Sequence, residues 1–470
     1  MRRVLVIGGG ISGLSTADAV LRLDPSAEVT LLEGESRLGG NITTVREDGF
    51  ILDGGPDSWV ATKPQASELA KTLGLERDLI GTIPENRRAL IAWGDKLHGL
   101  PEGFVMGVPT SILPILRTPL FSARAKLRMA LEPFVPRRQP LGEDDDESID
   151  SFMRRRLGPE VAERLVAPLL GGIYGGDAGA LSMRATLPQF VDMEAKHRSL
   201  IHALKAAKSG TADRRGAGDV KPSMFASLRG GVGSLIDRLA SSIGSERILT
   251  GTRVARIAEA PKGDARGRFA VEMQTGDVRY ADHVVLAIPS YAAAATLTAF
   301  GEPLTSILSA LQYVSTAVVI LAFPRADVPC ALDATGYIVP RVLGRPALAA
   351  TWITSKWAGR APDGQVLIRV FLGGSGHQGL MDREDAELER LACEELTNTM
   401  GIVARPTLRR VFRFLRASPQ PLVGHPGRMR RAKALLANTP GLYLVASGYD
   451  GVGIPDCVRQ AEEAARAITA

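Results

Sequence analysis

The chain has 470 residues and a mass of 50.1 kDa, which is too long for one hydrophobic core and predicts two or three domains. The composition, with 45% hydrophobic, 23% charged and 5% aromatic residues, is that of a globular protein and argues against a disordered or fibrous chain. The formal net charge is +6, but the 57 basic residues are spread along the chain, so no nucleic-acid partner is expected.

The three cysteines, Cys330, Cys393 and Cys457, lie far apart, without a CxxC pair or a histidine at metal-ligand spacing. This pattern argues against a disulfide framework and a zinc site, so no metal is expected and a reduced, cytoplasmic location fits. No stretch reaches the ~18 uninterrupted apolar residues of a membrane span. Any membrane contact is therefore predicted to be peripheral.

A glycine-rich turn opens the chain. The run RVLVI predicts a strand, and Gly8, Gly10 and Gly13 then form GxGxxG before the helical pattern LSTADAVLRL. In this order the glycines let the backbone approach a pyrophosphate at a helix N-terminus. A second strand, AEVTLLE, ends at Glu33, twenty positions beyond Gly13, where a dinucleotide fold places the carboxylate that accepts the ribose hydroxyls. The combination predicts a dinucleotide site, and the alternative is a plain tight turn.

The segments after this acid distinguish FAD from NAD. The string RLGGN, from Arg37 to Asn41, could wrap the far phosphate of FAD, and nicotinamide enzymes usually lack it. A further turn, LDGGPDSW, follows the strand GFILD and is either a hairpin turn or part of the ligand site. FAD is therefore the predicted cofactor.

The middle of the chain is mainly helical in pattern. The apolar stretch from Leu100 to Val135 carries interspersed basic residues, and two interpretations stay open: buried helices with snorkelling basic side chains, or a surface that rests on a membrane or lines a substrate cavity. The run SIDSFMRRRLGPEVAERLVAPLL is mainly helical in pattern, with Ser148 as the expected N-cap. Segments 137–147 and 209–222 are predicted to be mobile loops.

After residue 222 the patterns again indicate strands, with ILTGTRVARIAEA, RFAVEMQTGDVRYADHVVLAI and STAVVILAFP. The chain ends with GLYLVASG as a strand, a turn from Tyr449 to Gly453, and a helix with Pro455 near its first turn. We expect this end to return to the dinucleotide domain and to aim backbone amides and a helix dipole at the reactive ring of the cofactor. The alternative is an ordinary strand–turn–helix tail.

Several longer strings carry a family likeness. They are GPDSW (Gly55 to Trp59), LPEGFVMGVPT (Leu100 to Thr110), FMRRRLGPEVAERLVAPLLGGIYGGDAGALSM (Phe152 to Met183), KHRSLI (Lys196 to Ile201), TWITSKW (Thr351 to Trp357) and YDGVGIPDC (Tyr449 to Cys457). With the glycine turn they make the chain, from Val4 to the C-terminal helix, resemble the FAD-dependent porphyrinogen oxidases of haem synthesis, a branch of the amine-oxidase-like flavoproteins. The strings GPDS, VMGVPT and GVGIPDC are more similar to those of the bacterial branch that oxidises coproporphyrinogen III than to those of the protoporphyrinogen enzymes. Val105 or Met106 stands where some protoporphyrinogen enzymes have a substrate-anchoring arginine.

The resemblance implies a non-covalent FAD site. Cys457 lies beyond the turn near which amine oxidases often attach their flavin. Val254 matches the position where the family's backbone meets adenine. The implied cofactor-binding residues are Gly8, Gly9, Gly10, Ile11, Ser12, Gly13, Glu33, Arg37, Gly40, Gly55, Pro56, Asp57, Ser58, Val254, Val452, Gly453 and Ile454.

The resemblance also implies that the flavin, and no protein residue, carries the chemistry: a porphyrinogen loses hydrogens in successive two-electron steps, and dioxygen is the acceptor. Substrate propionates predict basic binding residues, although plain surface charge is the alternative for each. The candidates are Lys63, Arg88 and Lys356. Core packing is likewise the alternative to a cavity-wall role for Trp59, Trp352 and Trp357.

The predicted fold is of α/β and α+β class, with a discontinuous Rossmann-like FAD domain, a substrate domain on a mixed sheet, and a helical insertion that is the candidate for membrane contact. The predicted bounds are 1–85, 225–290 and 430–470 for the FAD domain, 86–106, 183–224 and 291–429 for the substrate domain, and 107–182 for the helical domain.

The predicted function is oxygen-dependent oxidation of a porphyrinogen, with coproporphyrinogen III preferred over protoporphyrinogen IX. Expected partners are the porphyrinogen, dioxygen, a haem-pathway enzyme that receives the product and, peripherally, the inner face of the membrane. Rival functions on the same fold are an amine oxidase, a carotenoid desaturase and a flavin-free binding protein. A colourless protein that takes up no FAD would indicate the last of these.

Overall fold

The computed structural model describes residues 2–94, 96–100, 103–105, 107–110, 112–118, 120–139, 142, 144–212 and 223–470. Met106, at the position of the missing arginine anchor, lies outside this set. The chain forms two compact units: unit 1 comprises Met1–Gly81, Ser223–Gln312 and Gly427–Ala470, and unit 2 comprises Thr82–Pro222 and Tyr313–Pro426. The finer division into three domains stays a prediction.

Both helices and strands are numerous. Among the described residues the strands, β1 to β22 in chain order, are Arg3–Ile7, Glu28–Leu32, Thr44–Glu47, Phe50–Asp53, Trp59–Val60, Leu79–Gly81, Leu90–Trp93, Lys96–Gly99, Phe104–Val105, Val108–Pro109, Phe225–Leu228, Ile248–Leu249, Val254–Glu259, Phe269–Met273, Val278–Ala281, His283–Leu286, Gln312–Pro324, Gly336–Ile338, Ala347–Trp352, Gln365–Gly373, Leu408–Gln420 and Leu442–Leu444. The helices, α1 to α17, are Ile11–Leu23, Gln65–Thr72, Ile112–Arg117, Ala123–Ala130, Ile149–Leu157, Pro159–Val161, Ala167–Tyr174, Met183–Thr186, Pro188–His197, Leu200–Ala212, Gly233–Ile243, Ser290–Thr296, Glu302–Ser309, Ile353–Lys356, Asp385–Met400, His425–Leu436 and Ile454–Thr469.

A five-stranded parallel sheet, in the order β12-β2-β1-β16-β22, lies at the centre of unit 1. Val4 of β1 is opposite Val29 of β2 on one side and His283 of β16 on the other, and β22 pairs with β16. A parallel sheet is covered on both faces, which is why β1 is a continuous apolar run. The beginning, middle and end of the chain therefore meet in one sheet, and the predicted return of the C-terminal end is confirmed.

Helices α1 and α17 pack against each other in the core of unit 1. Small residues such as Ala17 on α1 and Ala461 and Ala465 on α17 are fully buried and allow the two helices to approach closely. The predicted C-terminal strand is shorter than expected and ends at Leu444, and the turn beyond it is closed by the Gly448 N–H, which donates to the Gly451 carbonyl at 2.8 Å.

Unit 2 contains a seven-stranded mixed sheet in the order β21-β17-β20-β19-β18-β7-β8, in which β18 and β7 are parallel. Alternate residues of β17 and β20 point to one face, where they pack on helix α15 in a common apolar core. Trp352 is buried in this core, and Trp59 is buried in the core of unit 1, so core packing accounts for both.

Helices α4 to α10 of unit 2 share a second apolar core. The predicted N-cap is confirmed, since Ser148 Oγ accepts the Ser151 N–H at 3.1 Å. The predicted loop at 209–222 is wrong for its first residues, because the Leu- and Ala-rich helix α10 continues to Ala212, and residues 213–222 lie outside the described residues.

The stretch from Leu100 to Val135 is only partly buried. Ile115 and Met129 are in the apolar core, whereas Leu113 of α3 and Leu127 of α4 are more than half exposed. In the described part of the chain, no helix combines the length and apolar character needed to cross a bilayer.

Candidate functional site

The turn between β1 and α1 is built so that two of its positions require glycine. Gly8 has φ +110°, and a Cβ there would lie 2.4 Å from the Ala287 carbonyl oxygen, while a Cβ on Gly13 would lie 1.9 Å from the Gly8 oxygen. Gly10 differs, because a Cβ there would meet nothing nearer than Gly40 Cα at 3.9 Å. The space beside Gly10 is therefore free of protein atoms. A pyrophosphate that approaches the backbone closely needs such a space, and a methyl group would fill it.

Glu33 directly follows β2 and faces the same turn. Its Oε2 accepts the Gly9 N–H at 2.6 Å and its Oε1 accepts the Glu35 N–H at 2.7 Å. Each carboxylate oxygen can accept a further hydrogen bond, so the group can still receive ribose hydroxyls. The distance in sequence between the turn and the acid therefore predicts their closeness in space correctly.

The string RLGGN lies beside the first turn. Gly39 N–H donates to the Gly9 carbonyl at 2.8 Å, which holds Gly40 opposite Gly10. Arg37 donates Nη2 to the Gly40 carbonyl at 2.6 Å, so its guanidinium closes this loop on itself. Contact of Arg37 with a phosphate remains a prediction.

The GPDS turn packs on the same loop. A Cβ on Gly55 would lie 1.8 Å from the Asn41 carbonyl oxygen, so the two turns are in close contact. Ser227 Oγ of β11 donates to the Asp57 carbonyl at 2.7 Å and fixes the turn from the other side. The second glycine segment and the third are therefore adjacent parts of one surface of unit 1.

Val254 begins β13, next to the ribose acid. Thr252 N–H donates to the Glu33 carbonyl at 2.7 Å, and Arg253 Nη2 forms an ion pair with Glu35 at 2.6 Å. The structure thus brings Val254, from the middle of the chain, to the end of β2. Contact of Val254 with adenine stays a prediction of the family resemblance.

The C-terminal turn also lies against the first helix. Cys457 of α17 is buried, and the side chain of Ser12 of α1 lies close to its thiol. Gly453 precedes α17 in extended conformation, and Pro455 is in the first turn of the helix. The two glycine turns at opposite ends of the chain are therefore neighbours, as the sequence predicted.

The predicted substrate-binding cations have different surroundings. Lys63, in unit 1, forms an ion pair with Asp456 at 2.6 Å. Arg88, in unit 2, is exposed and paired with Asp333. Lys356, also in unit 2, lies with Nζ 5.0 Å from the centroid of the Trp357 ring, a buried tryptophan.

Sequence reasoning missed the contacts of Lys63 with Asp456 and of Ser12 with Cys457. The members of each pair are separated by nearly the whole chain, so no local pattern connects them. It also missed a buried cluster in unit 2, in which Glu132 and Arg156 form an ion pair. The only available signal was the unusual placement of charged residues within otherwise apolar helical patterns.

Packing around Cys457 leads to a testable prediction about thiol reactivity. Burial raises the pKa of this thiol to about 11, although the nearby Ser12 side chain acts in the opposite direction. A thiol with this pKa is protonated at pH 8, and its reactive thiolate is about 100-fold rarer than at the ordinary pKa. We expect iodoacetamide to modify Cys457 at least about 100-fold more slowly in the native protein than in urea, as measured by mass spectrometry. Rapid native labelling would contradict the packing of α17 on α1.

The pattern that defines the flavin containing amine oxidoreductase family matches residues 11–469. The chain belongs to this family, and it is therefore a flavin-dependent oxidoreductase. The parallel sheet, the glycine turn and the ribose acid described above are the parts of the fold that suit a flavin dinucleotide.

Within the family, the chain resembles porphyrinogen oxidases along its full length. It is 35% identical to the coproporphyrinogen III oxidase of Bacillus subtilis (strain 168), over 98% of this chain and 97% of that protein. It is 31% identical to the chloroplastic protoporphyrinogen oxidase of Oryza sativa subsp. japonica, over 99% of this chain and 88% of that protein. The crystal structure of a provisionally named protoporphyrinogen oxidase from Exiguobacterium sp. 255-15 matches with a TM-score of 0.85 and 33% identity, over 100% and 98% of the two chains. The resemblance and the fold class predicted from the sequence are confirmed.

Proposed function

We propose that this protein oxidises a porphyrinogen to a porphyrin with FAD as cofactor and dioxygen as acceptor, and that coproporphyrinogen III is the preferred substrate. The observation that carries the proposal is the full-length similarity to enzymes named for this reaction, together with the motifs that the sequence shares with their bacterial branch. Haem synthesis in the cytoplasm is the corresponding role.

The test is the rate at which porphyrin fluorescence appears in air from coproporphyrinogen III and from protoporphyrinogen IX, each corrected for its enzyme-free rate. We expect a large preference for the first, with hydrogen peroxide formed in step with the porphyrin. The reverse preference would contradict the choice of substrate. Failure to accelerate either reaction would favour an amine oxidase, a carotenoid desaturase or a binding protein.

FAD fits the glycine turns of unit 1. The open space over Gly10, the carboxylate of Glu33 and the neighbouring RLGGN and GPDS turns support the proposed binding residues. When bound, the flavin supplies the two-electron acceptor, and the chain supplies binding and orientation. A non-covalent site is part of the proposal, since the buried Cys457 has a raised pKa and is a poor nucleophile.

The proposed roles of the chain's own groups follow from their positions. The amides at the N-terminus of α1 receive phosphate charge, and Glu33 accepts ribose hydroxyls. The turn before α17 presents Val452, Gly453 and Ile454 at the positive end of a second helix dipole, which favours negative charge on a ring beside it. Basic side chains are candidates for the substrate propionates, among them Arg88 once it releases Asp333.

Lys356 is the third candidate for a propionate anchor, and its replacement gives a specific prediction. Coproporphyrinogen III carries propionates at two positions where protoporphyrinogen IX carries vinyl groups. Loss of a cation should therefore weaken the binding of coproporphyrinogen III more than that of protoporphyrinogen IX. We expect Lys356→Met to raise KM for coproporphyrinogen III by about tenfold or more, the equivalent of one charged hydrogen bond. Lys356→Arg should largely retain the wild-type KM. Lys96→Met, which changes an exposed lysine of β8, is the control.

If Lys356→Met changes KM no more than Lys96→Met does, Lys356 does not bind the substrate. A fall in kcat without a change in KM would also contradict the proposed role.

Peripheral contact with an anionic membrane is a further part of the proposal. The contact of Lys126 Nζ with the Leu116 carbonyl at 3.0 Å places α3 and α4 side by side. Their exposed apolar residues and the exposed Arg124 together resemble a membrane-surface element. The exposed apolar residues of this region are Leu113, Leu116, Leu127, Leu131 and Phe134.

We expect the protein to float with phosphatidylglycerol vesicles and Leu113→Ser/Leu127→Ser to float at least about fivefold less, because the bilayer would lose contact with two leucine side chains that are exposed in the free protein. Leu415→Ser, at an equally exposed leucine of β21, should leave flotation unchanged. Equal flotation of all three proteins would contradict membrane contact through α3 and α4. Hand-off of the porphyrin to another haem-pathway enzyme stays a prediction of the family resemblance.

A further inference from the structure

The ion pair between Lys63 and Asp456 joins two distant parts of unit 1. The residues are 393 positions apart, and Nζ of Lys63 lies 2.6 Å from Oδ1 of Asp456. Lys63 lies in the segment that follows the GPDSW string and β5, and Asp456 is in the first turn of α17. The lysine side chain is 52% exposed, whereas the aspartate side chain is only 14% exposed. The contact therefore links the segment that follows β5 to the start of the last helix.

Asp456 in turn fixes the backbone of the C-terminal turn. Its second oxygen, Oδ2, accepts the Gly453 N–H at 3.2 Å, and its own N–H donates to the Gly453 carbonyl at 3.0 Å. A Cβ on Gly451 would lie 2.6 Å from the carboxyl carbon of Asp456, so the turn closes tightly over this carboxylate. The conformation of residues 451–453 thus depends on where the Asp456 side chain is held.

The negative charge of Asp456 opposes the proposed role of this turn, which is to stabilise negative charge on the flavin ring. A carboxylate in the first turn stabilises the helix, but it also cancels part of the positive potential that the helix N-terminus presents to an anionic group. Lys63 restores a positive charge at 2.6 Å from that carboxylate. The net potential of the turn therefore depends on the lysine, even though the lysine belongs to another segment.

We propose that Lys63 is a positioning residue that acts through Asp456 to set the shape and the electrostatic potential of the turn before α17, and thereby the redox potential of the flavin. This inference rests on the flavin site of the proposed function. It differs from the role predicted from the sequence, in which Lys63 binds a substrate propionate.

The experiment compares Lys63→Met, Asp456→Asn and the double variant with wild-type holoenzyme, without any porphyrinogen. FAD affinity of the apoprotein, the visible spectrum and the flavin midpoint potential are measured. We expect Lys63→Met to make the potential more negative and to weaken FAD binding by about tenfold. Asp456→Asn should shift the potential in the positive direction. The midpoint potential of the double variant should be closer to that of the wild type than the potential of Lys63→Met is, because the double variant lacks the carboxylate that Lys63→Met leaves uncompensated.

Two controls separate charge from folding. Lys63→Arg keeps the cation and should retain the wild-type potential. Lys71→Met breaks an exposed pair with Glu68 on α2 and should change neither the potential nor FAD affinity. Thermal unfolding of each apoprotein shows whether a variant is folded. If Lys63→Met does not fold, the midpoint potential of Asp456→Asn still tests the inference.

An unchanged potential and spectrum in both Lys63→Met and Asp456→Asn would overturn the inference. If Lys63→Met then raised only KM for the porphyrinogen, Lys63 would be a propionate anchor. A wild-type protein that binds FAD but oxidises no porphyrinogen would contradict the proposed substrate while leaving this inference intact. A wild-type protein that binds no FAD would overturn both.

Discussion

Replacement of Gly10 by alanine is expected to abolish high-affinity FAD binding while the apoprotein remains folded. Gly10 has φ −76°, which any residue adopts, and a Cβ would meet no protein atom closer than 3.9 Å. The methyl group would instead fill the space that the pyrophosphate needs. We expect FAD affinity to fall by at least about 100-fold, or about 2.8 kcal/mol, with little change in the melting temperature of the apoprotein.

Gly13→Ala in the same turn is the matched comparison. Its Cβ would lie 1.9 Å from the Gly8 oxygen, so helix α1 would have to move away from β1. A clash with backbone is not relieved by a side-chain rotation, and we expect a loss of about 3 kcal/mol or more in the free energy of unfolding. Titration of the apoprotein with FAD and thermal unfolding distinguish the two variants. FAD binding by Gly10→Ala within about twofold of the wild type would contradict the proposed pyrophosphate site.

The second large effect is expected at Glu132, in the helical part of unit 2. Its side chain and that of Arg156 are fully buried and form an ion pair. Glu132 Oε2 also accepts the Ser199 hydroxyl at 2.6 Å, and Oε1 accepts the Leu200 N–H at 3.0 Å at the start of α10. Removing Glu132 takes away the fully buried carboxylate partner of Arg156 and leaves its guanidinium with Glu194, at 3.3 Å, which Arg155 also binds, so the buried charge is poorly compensated. We therefore expect Glu132→Ala to lower the free energy of unfolding by about 3–5 kcal/mol, measured by urea unfolding.

A nearby exposed pair is the control for this prediction. Glu163 pairs with Arg154 at 2.7 Å, and both side chains are at least 40% exposed. Glu163→Ala should lower the free energy of unfolding by no more than about 1 kcal/mol, because solvent screens both charges. Equal effects of the two substitutions would show that the Glu132 cluster is not sealed from water. The cluster also gives the KHRSLI string a structural role, since Ser199 and Leu200 both bind Glu132.

Local patterns predicted the strands, the turns and the last helix of the proposed nucleotide site well. The RVLVI run is strand β1, the GFILD run contains β4, and the last helix begins at Ile454 directly after the predicted turn. Each of these depends on neighbours within a few residues: apolar continuity in a covered strand, glycines at a tight turn, and proline in the first turn of a helix. The loop prediction at 209–212 failed because the helix-forming run before it continues through a serine and a glycine.

The sequence by itself thus determined the glycine turn, the closeness of Glu33 to that turn, the class of cofactor and the likeness to porphyrinogen oxidases, because each depends on short strings with local physical constraints. Only the tertiary structure decided that Lys63 binds Asp456, that Cys457 lies against Ser12, and that Glu132 caps α10. Such contacts depend on the parallel sheet that brings the beginning, middle and end of the chain together, and on the packing of helices from different segments. A charged side chain carries no sequence signal of which partner it will meet across a fold, because that choice is made by packing and not by spacing along the chain.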